Sequence, residues 1–324
     1  MLDGAVWSTG PMSDTTRTIG LFGVPSSAAS YAAGQDQAPR VLREAGLITA
    51  LESAGVTVVE TPDLTEQVWT PDATSPLAQN VDDVVASSRE VTDRVAGEIS
   101  AGRRVVVIGG NCTVAPAAVA GVRQATGVAC ALIYSDRHLD MNTPTTTREG
   151  ALDWMGLGHA LDLPGAVSDY AAAFGSRPLL GPGQVVFLGV DPTQSTASER
   201  DHVERLAFPV VSQTEVIADP AGAARAALAA LPDDIRQFVV HIDVDVLDFT
   251  ETPLAENTSG RNVGPTLDQL TSAVATVVAD SRWRVLTVGE VNPTRAAGDP
   301  SVLTRFVTAL AQIVGASTPD AGDA

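Results

Sequence analysis

Along nearly its whole length the chain alternates two local patterns, and this alternation constrains the fold more than any other feature. Short β-branched runs end in Gly, Asp or Pro, and Ala-rich amphipathic stretches follow them. Eight runs read as strands: 18–25, 56–61, 104–110, 129–135, 184–190, 208–212, 238–245 and 284–291. Seven stretches read as helices: 39–54, 80–101, 114–125, 196–206, 220–230, 266–279 and 301–314. Most of the strand runs are apolar throughout, as strands covered on both faces of a parallel sheet are. The pattern predicts a single α/β domain over residues 17–316, with helices on both faces of the sheet. Residues 1–16 and 317–324 read as flexible termini, and Met12 competes with Met1 as the true start.

Composition narrows the function. A chain of 324 residues buries a large core without disulfides or a structural metal. Its two cysteines cannot form a secreted disulfide scaffold. No apolar run reaches the roughly 18 residues of a membrane span. The N-terminus lacks the basic-then-apolar order of a secretion signal, so the expected location is cytoplasmic. Twenty basic against 39 acidic residues give a net charge of −19, which disfavours nucleic acid and anionic membranes as partners. All 20 basic residues are Arg and none is Lys. That excludes a P-loop, a Schiff-base or pyridoxal enzyme and a protein kinase, each of which needs a lysine.

Two long loops, 136–148 and 248–265, directly follow strand ends, where open parallel sheets bind ligands. The strand 129–135 runs into Asp136-Arg137-His138-Leu139-Asp140, and 238–240 runs into His241-Ile242-Asp243-Val244-Asp245. On extended chain the alternate residues share one face, about 6–7 Å apart. Four carboxylates and an imidazole converging there repel unless something neutralises them, and divalent ions do this most often. Two such clusters suggest two metals, bridged by Asp136 and Asp243, and oxygen ligands with one imidazole suit Mn²⁺. Cys112 follows Gly109-Gly110 at the start of a helix, a place that lowers a thiol's pKa and favours a ligand or a nucleophile. Cys130 and His241 read as core residues, although His241 shares the face of Asp243 and Asp245, and His202 reads as a surface group.

Four motifs in order carry a resemblance: Gly109-Gly110-Asn111-Cys112, Asp136-x-His138-x-Asp140-x-Asn142-Thr143-Pro144, Asp243-x-Asp245-x-Leu247-Asp248 and Gly289-Glu290-Val291-Asn292-Pro293. Together they resemble the arginase/agmatinase (ureohydrolase) family. The resemblance implies a three-layer α/β/α domain with an eight-stranded, mostly parallel sheet, holding two Mn²⁺ and hydrolysing linear guanidino compounds. One ion would take Cys112, Asp136, Asp140 and Asp243, and the other Asp136, His138, Asp243 and Asp245. Glu290 would pair with the guanidinium, Asp140 would orient the nucleophile, and Asn142 and Asp191 would hold the substrate's amino-acid end. A homo-oligomer, trimer or hexamer, is also implied.

The departures are as informative. The family usually has His where this chain has Cys112 and Asp where it has Asn111. The thiolate admits Zn²⁺, Fe²⁺ or Co²⁺ beside Mn²⁺. Cysteine at this position is similar to a branch of N-hydroxyarginine hydrolases. Aligned on Gly150, the family's proton-shuttling His becomes Asp153, and a carboxylate-binding Ser becomes Glu149, beside Arg148. Losing the His hurts least when the guanidine is already activated. The substrate expected is arginine, N-hydroxyarginine or a guanidino acid. The alternative is a catalytically silent relative that binds a ligand or a partner subunit.

Overall fold

The structure, a computed structural model, describes residues 18–258 and 263–317. The N-terminal stretch with both candidate start methionines, residues 318–324 and part of the second long loop lie outside these.

All eight expected strands form: β1 (Thr18–Gly23), β2 (Thr57–Glu60), β3 (Arg104–Ile108), β4 (Ala131–Ser135), β5 (Val185–Val190), β6 (Val210–Ser212), β7 (Phe238–Asp243) and β8 (Trp283–Gly289). They make one sheet in the order β2-β1-β3-β8-β7-β4-β5-β6, with every neighbouring pair parallel. The last two strands in sequence enter between β3 and β4, so the centre of the sheet is built from both ends of the chain.

Eleven α-helices cover the sheet among the described residues: α1 (Ala38–Glu44), α2 (Leu47–Ser53), α3 (Val81–Ser100), α4 (Val114–Thr126), α5 (Gly156–Ala160), α6 (Ser168–Ala173), α7 (Ala197–Leu206), α8 (Gln213–Ala218), α9 (Pro220–Ala229), α10 (Leu267–Val278) and α11 (Ser301–Gly315). Strand alternation divides the core into two layers. Val106 and Ile108 of β3, Ile133 of β4 and Val240 and Ile242 of β7 pack with α1, α2 and α8–α11. Val105, Val107, Leu132 and Val239 face the opposite way, into α3–α6. The result is the expected three-layer α/β/α arrangement.

Three differences from the sequence reading have local causes. The helix expected over 39–54 is two helices, because Gly46 takes a left-handed φ of 96° between them. The short helices α5, α6 and α8 were not separable from loop by periodicity, since one or two turns carry too few apolar repeats. Finally, β7 stops at Asp243 and the chain tightens into a 3-10 turn over Val244–Val246.

Candidate metal centre

The site lies where the C-terminal ends of four consecutive strands, β3, β8, β7 and β4, meet. After β3, Gly109 and Gly110 both adopt positive φ, 89° and 78°. A Cβ on Gly109 would stand 2.8 Å from the Pro39 ring, so only glycine lets the chain turn here. The turn sets Cys112, almost fully buried, over the sheet edge.

Asp136, His138 and Asp140 leave β4, and Asp243 and Asp245 leave β7, but not on extended chain as expected. Each strand end curls on its own aspartate: Asp136 Oδ1 accepts from His138 N at 2.6 Å, and Asp243 Oδ1 from Asp245 N at 2.7 Å. These side-chain-to-backbone turns bring alternate residues closer than a strand would. Asp140 takes a left-handed φ of 49°, and its carbonyl accepts from Leu157 N and Gly158 N at 3.0 and 3.1 Å. The hydroxyl of Tyr134 donates to its side chain.

Two groups of potential ligand atoms result, each with all members within 4.8 Å of one another: Asp136, His138, Asp243 and Asp245, and Cys112, Asp136 and Asp140. Asp136 belongs to both, as a bridging ligand must. Asp243 joins them as well, with its Oδ2 3.0 Å from Cys112 Sγ. His138 Nδ1 faces Asp245 Oδ2 at 3.0 Å and Asp136 Oδ1 at 3.3 Å. All six expected ligands are therefore together.

The residues fit a pair of cations. Asp136 Oδ2 and Asp245 Oδ1 are buried without a hydrogen-bond partner, a costly state unless a ligand completes them. Burial pushes Asp136, Asp140 and Asp243 up from the ordinary carboxylate range, and neighbouring aspartates push them further. Burial works against Asp245 too, but His138 beside it holds it below that range. Cys112 is driven well up, by burial first and then by Asp243, Glu290 and Asp140. This reverses the lowered thiol pKa expected from the helix start: α4 begins only at Val114, and the carboxylates outweigh it. In this field the thiol loses its proton readily only beside a cation.

Glu290 ends the turn after β8 with a left-handed φ of 62°. Its Oε1 accepts from Cys112 N at 3.1 Å and its Oε2 from the Gln35 side chain, whose Oε1 accepts from Asn111 Nδ2 at 2.7 Å. Asn111 thus orients Gln35, and Gln35 orients Glu290. Glu290 opens onto a cavity of about 740 Å³, lined also by Cys112, His138, Asp140, Asp243, Asp245, Asp153 and Trp154. Asp153 begins a 3-10 turn, Asp153–Met155. Its amide and that of Leu152 both donate to Ala29 O, which holds the turn in place. Burial pushes the Asp153 carboxyl up to about 7, against a hydrogen bond from Trp154 N that works the other way.

Arg148 and Glu149 also line this cavity. Asn142 and Asp191 do not. Asn142 is fully buried, with its Oδ1 accepting from Thr196 and Thr146. Asp191 is folded into its own turn, accepting from the Thr193 amide and hydroxyl.

Sequence reasoning undervalued His241. It is fully buried, as read, but its Nε2 lies 3.2 Å from Cys112 Sγ and its Nδ1 2.7 Å from Thr287 Oγ1. Its ring stacks on Tyr134 at 4.8 Å. The shared strand face with Asp243 was the one available signal. Gln35 and Tyr134 were missed. His202, expected on the surface, is buried, because α7 turns Glu199 and His202 inward on one face. His159 is buried away from the cavity, with Nδ1 on Met155 O at 2.7 Å.

Comparison with known proteins agrees with this geometry. Residues 17–314 match the family described as the Arginase family. An arginase of Glaciozyma antarctica is 31% identical over 255 residues, covering 76% of this chain and 72% of that protein. The crystal structure of Entamoeba histolytica arginase in complex with L-ornithine superposes with a TM-score of 0.81 at 19% identity, over 93% of this chain and 99% of that one. Proclavaminate amidino hydrolase from Streptomyces clavuligerus gives 0.65 at 18% identity, over 93% of each chain.

Proposed function

Since the chain belongs to the arginase family of metal-dependent amidinohydrolases, we propose that it hydrolyses the C–N bond of a linear guanidino compound. The products would be urea, or a substituted urea, and an amine. One observation carries the reading: six potential ligands with orphaned aspartate oxygens meet from three strand ends, beside a buried glutamate that follows a fourth and faces a cavity.

Cys112, Asp136, His138, Asp140, Asp243 and Asp245 would hold two Mn²⁺, and the thiol also suits Zn²⁺, Fe²⁺ or Co²⁺. Bound there, such ions supply Lewis-acid activation of a water nucleophile near neutral pH. The chain's own groups do the rest. Glu290 still has carboxylate lone pairs free beyond its bonds to Gln35 and Cys112 N, and it anchors the guanidinium. Asp140, steadied by Tyr134, orients the attacking water toward the guanidine carbon. Asp153, its carboxyl pushed up to about 7, delivers the proton that the departing amine needs. With a carboxyl in place of the family's imidazole, the reading favours a guanidine whose carbon is already activated, such as N-hydroxyarginine, over arginine. The proposal includes a cytoplasmic location and a homo-oligomer, trimer or hexamer.

The test is amine and urea release by the Mn²⁺-loaded protein. L-Arginine, N-hydroxy-L-arginine, 4-guanidinobutyrate and agmatine are offered side by side, with a chelator control. Chelator-sensitive turnover, highest on N-hydroxy-L-arginine, is expected. A protein that holds two ions and turns over none of the four is not this enzyme. One that holds no metal is the silent relative.

A further inference from the structure

Arg148 and Glu149 stand side by side on the cavity wall, both exposed. Among the described residues no side-chain hydrogen bond or ion pair involves either, and none joins them to each other. Among the described residues Arg148 is the one arginine that lines the cavity. The remaining acids there already have other roles in the site. Asp140, Asp243 and Asp245 belong to the metal cluster, Glu290 is tied to Gln35 and Cys112 N, and Glu199 caps α7 through Thr196. Asp153, which accepts from Trp154 N through Oδ1, is the proton donor of the reading above.

We propose that Arg148 and Glu149 together form a clamp for a zwitterionic α-amino acid head group. Arg148 takes the carboxylate and Glu149 the ammonium. The inference rests on the reading of the cavity as a guanidine-hydrolysing site and names the substrate class: a guanidino α-amino acid, in preference to a guanidino acid or a guanidino amine.

Three observations support it. An α-amino acid carries both charges on one carbon, and two neighbouring residues on the cavity wall offer one charge of each sign. The dipeptide is also mounted on an anchored backbone. The next residue, Gly150, packs so closely on the 76–79 segment that a Cβ there would lie 2.2 Å from Pro76 O. Its carbonyl accepts from Gln79 N at 2.8 Å. A held backbone lowers the entropy lost on binding. Lastly, the two residues that the resemblance assigns to this end of the substrate, Asn142 and Asp191, are not among the residues that line the cavity: Asn142 is fully buried with its Oδ1 paired and its Nδ2 unpaired, and Asp191 is folded into its own turn. The adjacent pair also removes the difficulty of Glu149 facing a carboxylate, because Glu149 meets the ammonium instead.

Binding of amines that lack the guanidine tests the clamp separately from catalysis. L-Ornithine, 4-aminobutyrate and putrescine are titrated by calorimetry into metal-loaded wild type, Arg148→Ala, Glu149→Ala and, as a control far from the cavity, Arg40→Ala. Wild type should bind ornithine at least about tenfold more tightly than putrescine, the strength of one charge-assisted contact. Arg148→Ala should weaken ornithine and 4-aminobutyrate about tenfold relative to putrescine. Glu149→Ala should weaken ornithine and putrescine by a similar factor relative to 4-aminobutyrate, and Arg40→Ala should change no ratio. Ratios that stay within about twofold of wild type in both cavity variants overturn the clamp, as does ornithine binding no tighter than putrescine. Loss of hydrolysis with these binding ratios intact would count against the hydrolase reading and leave the clamp standing.

Discussion

Replacing His241 by Phe should loosen the metal centre without unfolding the chain. The imidazole stacks on Tyr134 at 4.8 Å, and a phenyl ring preserves that contact and most of the volume. What disappears is the pair of ring nitrogens, one 3.2 Å from Cys112 Sγ and the other 2.7 Å from Thr287 Oγ1. Thr287 is not orphaned, since its hydroxyl also reaches Val240 O at 3.4 Å. The cost to folding is therefore that of one neutral hydrogen bond, about 1 kcal/mol. The cost to the ions is larger. Removing a group that orients a ligand lowers metal affinity about 10–100-fold, or about 1.4–2.7 kcal/mol. Competition with a chromophoric chelator measures this directly. Cobalt-loaded protein adds a second readout, because the sulfur-to-metal charge-transfer band should shift once the thiolate loses its N–H donor. If the Phe variant holds both ions within about twofold of wild type and the band stays in place, His241 does not tune Cys112 and the reasoning fails.

Three further outcomes follow from the same geometry. Burial lowers His159 to about 4 from its ordinary 6.5, so as pH falls the unfolded chain takes up a proton before the folded one does. Metal-free protein should lose about 2 kcal/mol from this group between roughly pH 7.5 and 5, and His159→Asn, which can keep a donor toward Met155 O, should flatten that acid limb in urea unfolding. Asp153→Asn should lower kcat about 100-fold while the metal content and KM stay near wild type; a fall of less than about threefold would show that Asp153 carries no proton. Stripping the ions should lower the Tm by about 5 °C or more, because ligands at about 100 times their Kd stabilise the fold by about 2.7 kcal/mol each, and scanning calorimetry with and without chelator would detect this.

What the sequence discloses and what it conceals divide along a physical line. Five of the six candidate ligands were legible because polar or charged residues follow apolar strands directly, and Cys112 through the motif it shares with the family. The order of the strands was not legible: β7 and β8 enter between β3 and β4, and no local pattern says so. Gln35 is 255 residues from Glu290 along the chain, and its role exists only once that insertion has happened. Tyr134 reads as one more apolar strand residue, since period-two patterning assigns a side chain to a face and is blind to where a hydroxyl ends. Asn142 shows the reverse case, with its Nδ2 left unpaired. Its motif is intact, but Thr196 from the start of α7 occupies its carbonyl oxygen, and motif matching does not register a competing partner.

Backbone strain connects these observations. Asp140 and Glu290, two residues proposed to act on the substrate, are also two of the few non-glycine residues with positive φ, 49° and 62°. Such a conformation costs on the order of 1–2 kcal/mol per residue and persists only where the surroundings over-determine it. They do so here: the Asp140 carbonyl receives two amides from the start of α5, and the Glu290 amide donates to Gly110 O at 3.0 Å. Both residues lie just past a strand end, where extended chain would carry the side chain along the sheet and away from the crevice. The left-handed step turns it in. The burial that raises the carboxyls, the two orphaned aspartate oxygens and the two strained turns thus all concern one small volume. A chain under no demand for chemistry there would lower its free energy by relaxing any one of them.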